Sequence, residues 1–376
     1  MTTATATLTV SRRLPLYVWA ALASQACMIV GWNWDISWHR SIGRDTVWTP
    51  AHVAIYSALA IAFAYNAALV LGHTFGARKG EPALRVLGFA GTAGAFITLW
   101  AILLQFAAIL FDNWWHDVYG LDVIVFSPPH YTLSVAIAVF HFGQFVVVAS
   151  YANTAPPEQS VALRRILLVL WSFLIGHQLI TDYTWGPMQV RSVLFMATSA
   201  LFVPFSLVMI VEYLRSRWAG AQAALIYALW CVLLMQIFQL FPASPQFGPV
   251  YHHIPFLLPP PFPLLLFIPA AAVGAVLYRM RSGPSWARHL LVGLTFLVVF
   301  TSVNWATSAL MAGPWGDNRF FAGGYPSFVY TPGYRVVTLM ALDGRTVALA
   351  VLSVGLAALS SWSGVAVGRW LRRIVR

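Results

Sequence analysis

Charge is what this chain has least of. Only 9% of its 376 residues are Asp, Glu, Lys or Arg, whereas a soluble domain carries about 25%. That deficit excludes a water-soluble globular protein and a disordered one, because both depend on charge for solvation. Acidic residues are the scarcer kind, 11 against 22 Lys and Arg. Cysteine is scarcer still. Cys27 and Cys231 both lie inside apolar runs, which excludes a disulfide scaffold and a thiolate metal site. The sequence also lacks a P-loop, a GxGxxG fingerprint, a Ser/His/Asp nucleophile motif and an HExxH helix.

What is present is apolar: 60% hydrophobic and 15% aromatic residues, with a mean hydropathy of +0.74. The composition is that of an all-α, polytopic membrane protein. A net charge of +11 would suggest nucleic acid in a soluble chain. Here no nucleic-acid partner is expected, because cations concentrate beside membrane helices on the cytoplasmic side. Ten segments are long and apolar enough for spanning helices in contact with lipid: 14–33, 50–72, 83–111, 127–151, 162–181, 190–213, 220–241, 259–279, 287–311 and 346–366. The first follows Ser11-Arg12-Arg13 without a small-residue cleavage site, so it reads as a retained helix.

With both ends cytoplasmic, 16 Lys and Arg fall inside and six fall outside, as the positive-inside rule requires. All three glutamates then lie inside and all eight aspartates outside. Most histidines accompany the aspartates. The outer face of an inner (plasma) membrane therefore holds most of the potential metal ligands. The stretch 312–345, rich in Gly, Pro and aromatics, is expected to cap that face.

The first two outer loops repeat each other. Asp35, Trp38, His39, Gly43 and Asp45 recur 77 positions later as Asp112, Trp115, His116, Gly120 and Asp122. Pro50 and His52 recur 78 positions later as Pro128 and His130. The repeat divides the chain into duplicated hairpins, residues 1–155 with spans one to four, and a further bundle, residues 156–376 with spans five to ten. Asp and His four apart share one helix face. A proline two residues before each later histidine starts a helix, and an antiparallel hairpin brings that histidine opposite the first pair. Two metal-ligand triads follow: Asp35, His39, His52 and Asp112, His116, His130. Two imidazoles and a carboxylate suit copper, iron or zinc. Asp45 and Asp122 are candidate acceptors for a ligand histidine's other N–H. Weaker candidates are His177 with Asp182, and the adjacent His252 and His253. His141 falls mid-span, where a satisfied buried histidine is the simpler reading, although an ionisable group in a membrane marks a functional site by default.

These residues resemble a known family. Asp35-x3-His39-x12-His52 and Asp112-x3-His116-x13-His130 are similar, in spacing and order, to two metal-ligand patterns, Asp-x3-His-x12-His and Asn-x3-His-x13-His. Both patterns belong to the third subunit of the copper membrane monooxygenases, the particulate methane and ammonia monooxygenase family. The likeness covers residues 30–135, and Asp112 replaces the asparagine of the second pattern. It implies copper, oxygen activation, a small apolar substrate, a quinol-type reductant and other monooxygenase-type subunits as partners. Two other expectations stand beside that of an oxidising enzyme: a copper carrier or insertion factor, and a transporter that uses Asp and His for substrate or protons.

Overall fold

The computed structural model describes residues 13–41, 47–76, 78–79, 84–119, 127–184, 193–238, 240–241, 265–312 and 344–374, without the side chains at 39–41, 180–184, 193–195, 305, 308–312 and 345. Ten α-helices run through these residues: α1 (Leu16–Ser41), α2 (Pro50–Thr74), α3 (Ala93–Tyr119), α4 (Pro128–Ala152), α5 (Ser160–Thr184), α6 (Val193–Leu214), α7 (Ala219–Phe238), α8 (Phe267–Arg279), α9 (Ser285–Ala312) and α10 (Gly344–Leu371). Each expected span falls on one of them, so the chain is an all-α bundle. Eight helices are long and apolar enough to cross a membrane. The other two are α1, longer but more polar, and α8, which has 13 residues. Helices suit this solvent because every interior backbone group is satisfied within its own segment.

The third span begins later than its apolar run. Residues from 83 onward were expected to be helical, but β1 (Leu84–Val86) pairs antiparallel with β2 (Phe89–Gly91). Leu87 and Gly88 between them have φ of 51° and 86°, the left-handed pair of a tight two-residue hairpin. Helix α3 starts at Ala93 and continues to Tyr119, carrying Asp112 and His116 within it. Likewise α1 runs past residue 33 to Ser41 and includes Asp35.

Pro50 and Pro128 occupy the first turns of α2 and α4, where a missing N–H costs nothing. Both helices have 25 residues, offset by the repeat distance. Polar bonds tie the hairpins together at mid-height: Tyr65 Oη donates to Gln144 Oε1 at 3.0 Å, and Gln25 Nε2 donates to the His141 carbonyl at 3.1 Å. Tyr65 and Gln144 stand at nearly equivalent heights in the two copies, so both candidate triads lie at one end of the bundle. Beneath them packs a core of Met28, Trp32, Ile36, Ile55, Leu59, Ile102 and Phe140. A larger core, with Trp171, Tyr227 and Phe296 fully buried, joins α1, α4 and α5 to the later helices.

Lipid is as apolar as the side chains, so close packing and interhelical hydrogen bonds hold such helices together. Helix α10 lies against α6 through Gly364 and Gly368, where an added Cβ would come within 2.7 Å of the Phe205 carbonyl and 2.8 Å of the Met209 carbonyl. Pro204 interrupts α6, and the neighbouring Phe205 N–H donates to Ser360 Oγ of α10 at 2.8 Å.

Alternating antiparallel helices partition the charge. The end away from the triads carries Arg13, Arg78, Lys79, Arg85, Arg164, Arg165, Arg215, Arg217, Arg279, Arg281, Arg288, Arg369, Arg372 and Arg373. Among the described residues it has two acids, Glu158 and Glu212.

Candidate metal centre

Asp112 and His116 sit one turn apart on α3, and His130 is in the first turn of α4. The hairpin brings the three together. Asp112 Oδ2 is 3.5 Å from His116 Nε2, and Asp112 Oδ1 is 3.4 Å from His130 Nε2. One ligand atom from each residue lies within 4.8 Å of the others. The imidazoles face edge to face with centroids 6.4 Å apart. The side chains are 13–23% exposed, buried enough to fix their geometry and open enough to admit an ion.

The first copy repeats one of these contacts. Asp35 Oδ1 is 3.2 Å from His52 Nε2, the counterpart of the Asp112–His130 pair. His39 lies on α1, but its side chain is outside the described residues.

These distances fit a shared cation. A charge-assisted N–H···O⁻ bond closes to about 2.7–2.9 Å. Two donors on a tetrahedral ion with bonds of about 2 Å stand roughly 3.3 Å apart. Separations of 3.2, 3.4 and 3.5 Å are compatible with shared ligation and with ordinary carboxylate–imidazole pairing. Asp112, with an oxygen toward each imidazole, holds the centre together. Aromatic rings flank it: Trp115 packs on Tyr119 at 4.3 Å and edge-on to Phe111 at 6.1 Å. In the first copy Tyr56 lies 6.0 Å from the His52 ring.

The remaining candidates divide. Asp45, Asp122, His252 and His253 lie outside the described residues, as does the side chain of Asp182 on α5. His177 is engaged deeper in the bundle. Its Nε2 bonds the Ser134 carbonyl at 2.9 Å, and its ring lies 5.6 Å from Trp32 and 5.8 Å from His141. His141 is half satisfied: Nδ1 meets Gln25 Oε1 at 2.9 Å, while its buried Nε2 has no hydrogen-bond partner among the described residues. Because Gln25 Nε2 faces a carbonyl, its Oε1 must accept, so His141 carries its proton on Nδ1. Sequence reasoning singled out His141 and His177 but missed Gln25, Ser134 and Gln144. The signal was available, since an amide inside an apolar run needs a partner in the bundle.

No family model, curated protein or solved structure matches this chain.

Proposed function

We propose that this chain is a membrane metalloprotein that binds copper at the Asp112/His116/His130 triad and at the equivalent Asp35/His39/His52 triad, and that it oxidises a small apolar substrate as a copper monooxygenase-like protein or subunit. The observation that carries the metal reading is the same carboxylate–imidazole juxtaposition at two repeat-related positions, 3.2 Å in one and 3.4 Å in the other. Copper and oxidation come from the resemblance of the two spacings to those of the copper membrane monooxygenases. Two imidazoles and a carboxylate also suit iron and zinc.

In this reading both ends of the chain are cytoplasmic and the triads face outward. Asp112 orients both imidazoles through its two oxygens and offsets the charge of a divalent ion. The neighbouring rings of Phe111, Trp115 and Tyr119 offer an apolar approach. A bound copper would supply electron transfer and oxygen activation. The protein's part is to hold two neutral imidazoles with their lone pairs converging.

The partial exposure of the triad favours a second reading, a carrier that hands its ion to a partner. Elemental analysis of purified, metal-replete protein with electron paramagnetic resonance tests the metal. His116→Ala and His130→Ala should each lose bound copper, whereas His73→Ala, at the other end of α2, should retain it. Wild-type protein without stoichiometric copper, iron or zinc overturns both readings. Copper binding with transfer to an acceptor, but no substrate oxidation in membranes given reductant, selects the carrier.

A further inference from the structure

At the basic end of the bundle, the ends of α4, α5 and α6 and the residue after α10 line an open pocket of about 320 Å³, within the range of small-ligand pockets, about 300–1,000 Å³. Its polar wall is made by Arg164, Arg215, Arg372 and Asn153, and its apolar wall includes Leu163, Leu167 and Leu214. We propose that this pocket binds the phosphate group of an anionic phospholipid from the surrounding bilayer.

The charge around it is strongly one-signed. Arg372 Nη2 pairs with Glu212 Oε1 at 2.9 Å, and the same oxygen takes Arg369 Nε at 3.5 Å, so two guanidiniums share one carboxylate. Arg164 Nη2 bonds the neutral Gln222 Oε1 at 3.3 Å, and no carboxylate pairs with it among the described residues. Arg215 has no carboxylate partner among the described residues. Glu158, exposed on the 3₁₀ turn Pro157–Gln159, is the other acid of this end among the described residues. Asn153 Nδ2 donates to the carbonyls of Leu371, the last residue of α10, and Ile374 beyond it, at 2.8 and 2.7 Å. The N-terminus of α5 adds positive helix-dipole charge beside Ser160, whereas α4, α6 and α10 present their negative C-terminal ends at Ala152, Leu214 and Leu371, so the arginines alone make the pocket positive.

Arg215 supplies an independent indication. Helix α6 ends at Leu214, and Ser216 N–H donates back to the Val211 carbonyl at 3.2 Å. That bond defines a Schellman cap, whose left-handed position normally holds glycine. Arginine occupies it here with φ of 51°, a conformation with a steric cost for any residue bearing a Cβ. A guanidinium at a helix C-terminus is favoured by the dipole in its own right, and here the same side chain also lines the cavity. The adjacent leucines choose between sources of phosphate: a free anion has no use for an apolar wall, whereas a lipid lays its glycerol and acyl chains along it. Basic pockets between spanning helices on the cytoplasmic side bind such headgroups.

The test titrates the full-length protein in phosphatidylcholine nanodiscs with phosphatidylglycerol, reading bound lipid by native mass spectrometry and the melting midpoint in parallel. Wild type should retain phosphatidylglycerol and melt higher with it. Arg215→Gly relieves the left-handed strain, so its basal midpoint should hold or rise, yet its phosphatidylglycerol affinity should fall roughly fivefold. Arg164→Gln should cost a similar factor. Affinity unchanged in both variants overturns the proposal. Inorganic phosphate that matches the lipid in affinity and in its effect on melting assigns the pocket to a free anion and overturns the lipid.

Discussion

A single carboxylate decides how much the second triad can do. Asp112 touches both imidazoles, so Asp112→Ala should weaken metal binding more than removal of either histidine, by at least about tenfold in chelator competition. Asp112→Asn keeps one oxygen donor and removes the charge; it should retain the ion at intermediate affinity, and equal loss in the two variants would contradict a ligating role. Metal and protons compete for imidazole lone pairs, so occupancy should fall as pH drops below about 6 and recover on return to neutral. Gln25 provides the contrasting case. Gln25→Ala leaves the His141 Nδ1 proton without its acceptor in a buried site, a cost of about 1–3 kcal/mol. It should lower the thermal midpoint while leaving metal content at wild-type level; simultaneous loss of metal would place Gln25 in the centre itself.

Helices set what those residues can reach. Gly31, one turn before Asp35, lies so close to α2 that an added Cβ would come within 2.7 Å of Ile55 Cγ1 and 3.0 Å of the Ala51 carbonyl. Gly31→Ala should push α1 away from α2, cost about 1–3 kcal/mol and open the Asp35–His52 pair. Metal at the first centre should weaken while the second centre, on α3 and α4, keeps its ion. Uniform loss at both would mean that they are one cooperative site.

Much of this level was readable beforehand. Repeat spacing, the prolines at 50 and 128 and the four-residue Asp–His interval together specify two hairpins with Asp and His at one end, and Asp–His pairs form there. The hairpin at 84–91 was not readable, because Leu84, Val86, Leu87 and Phe89 continue an apolar run and Leu-Gly gives no clear turn signal. Nor was the depth of His177 readable. Its neighbours in sequence placed it near a helix end, whereas its contacts come from Trp32 and Ser134, more than 40 positions away.

At the scale of the whole molecule, the two ends differ in kind. Carboxylates and imidazoles converge at one; fourteen basic side chains against two acidic ones occupy the other among the described residues. Reporter fusions after Arg165 and Arg217 should therefore read cytoplasm, and a fusion after Gly120 should read the outer side. The opposite pattern would invert the orientation and place the triads inside the cell. This asymmetry also has an electrical consequence. Carrying one positive charge outward against an inside-negative potential costs about 2.3 kcal/mol per 100 mV, and a dozen net charges multiply that cost. A bundle so polarised should be inserted one way only, and an energised membrane should hold a population of uniform handedness, with no mirror-oriented copies beside it.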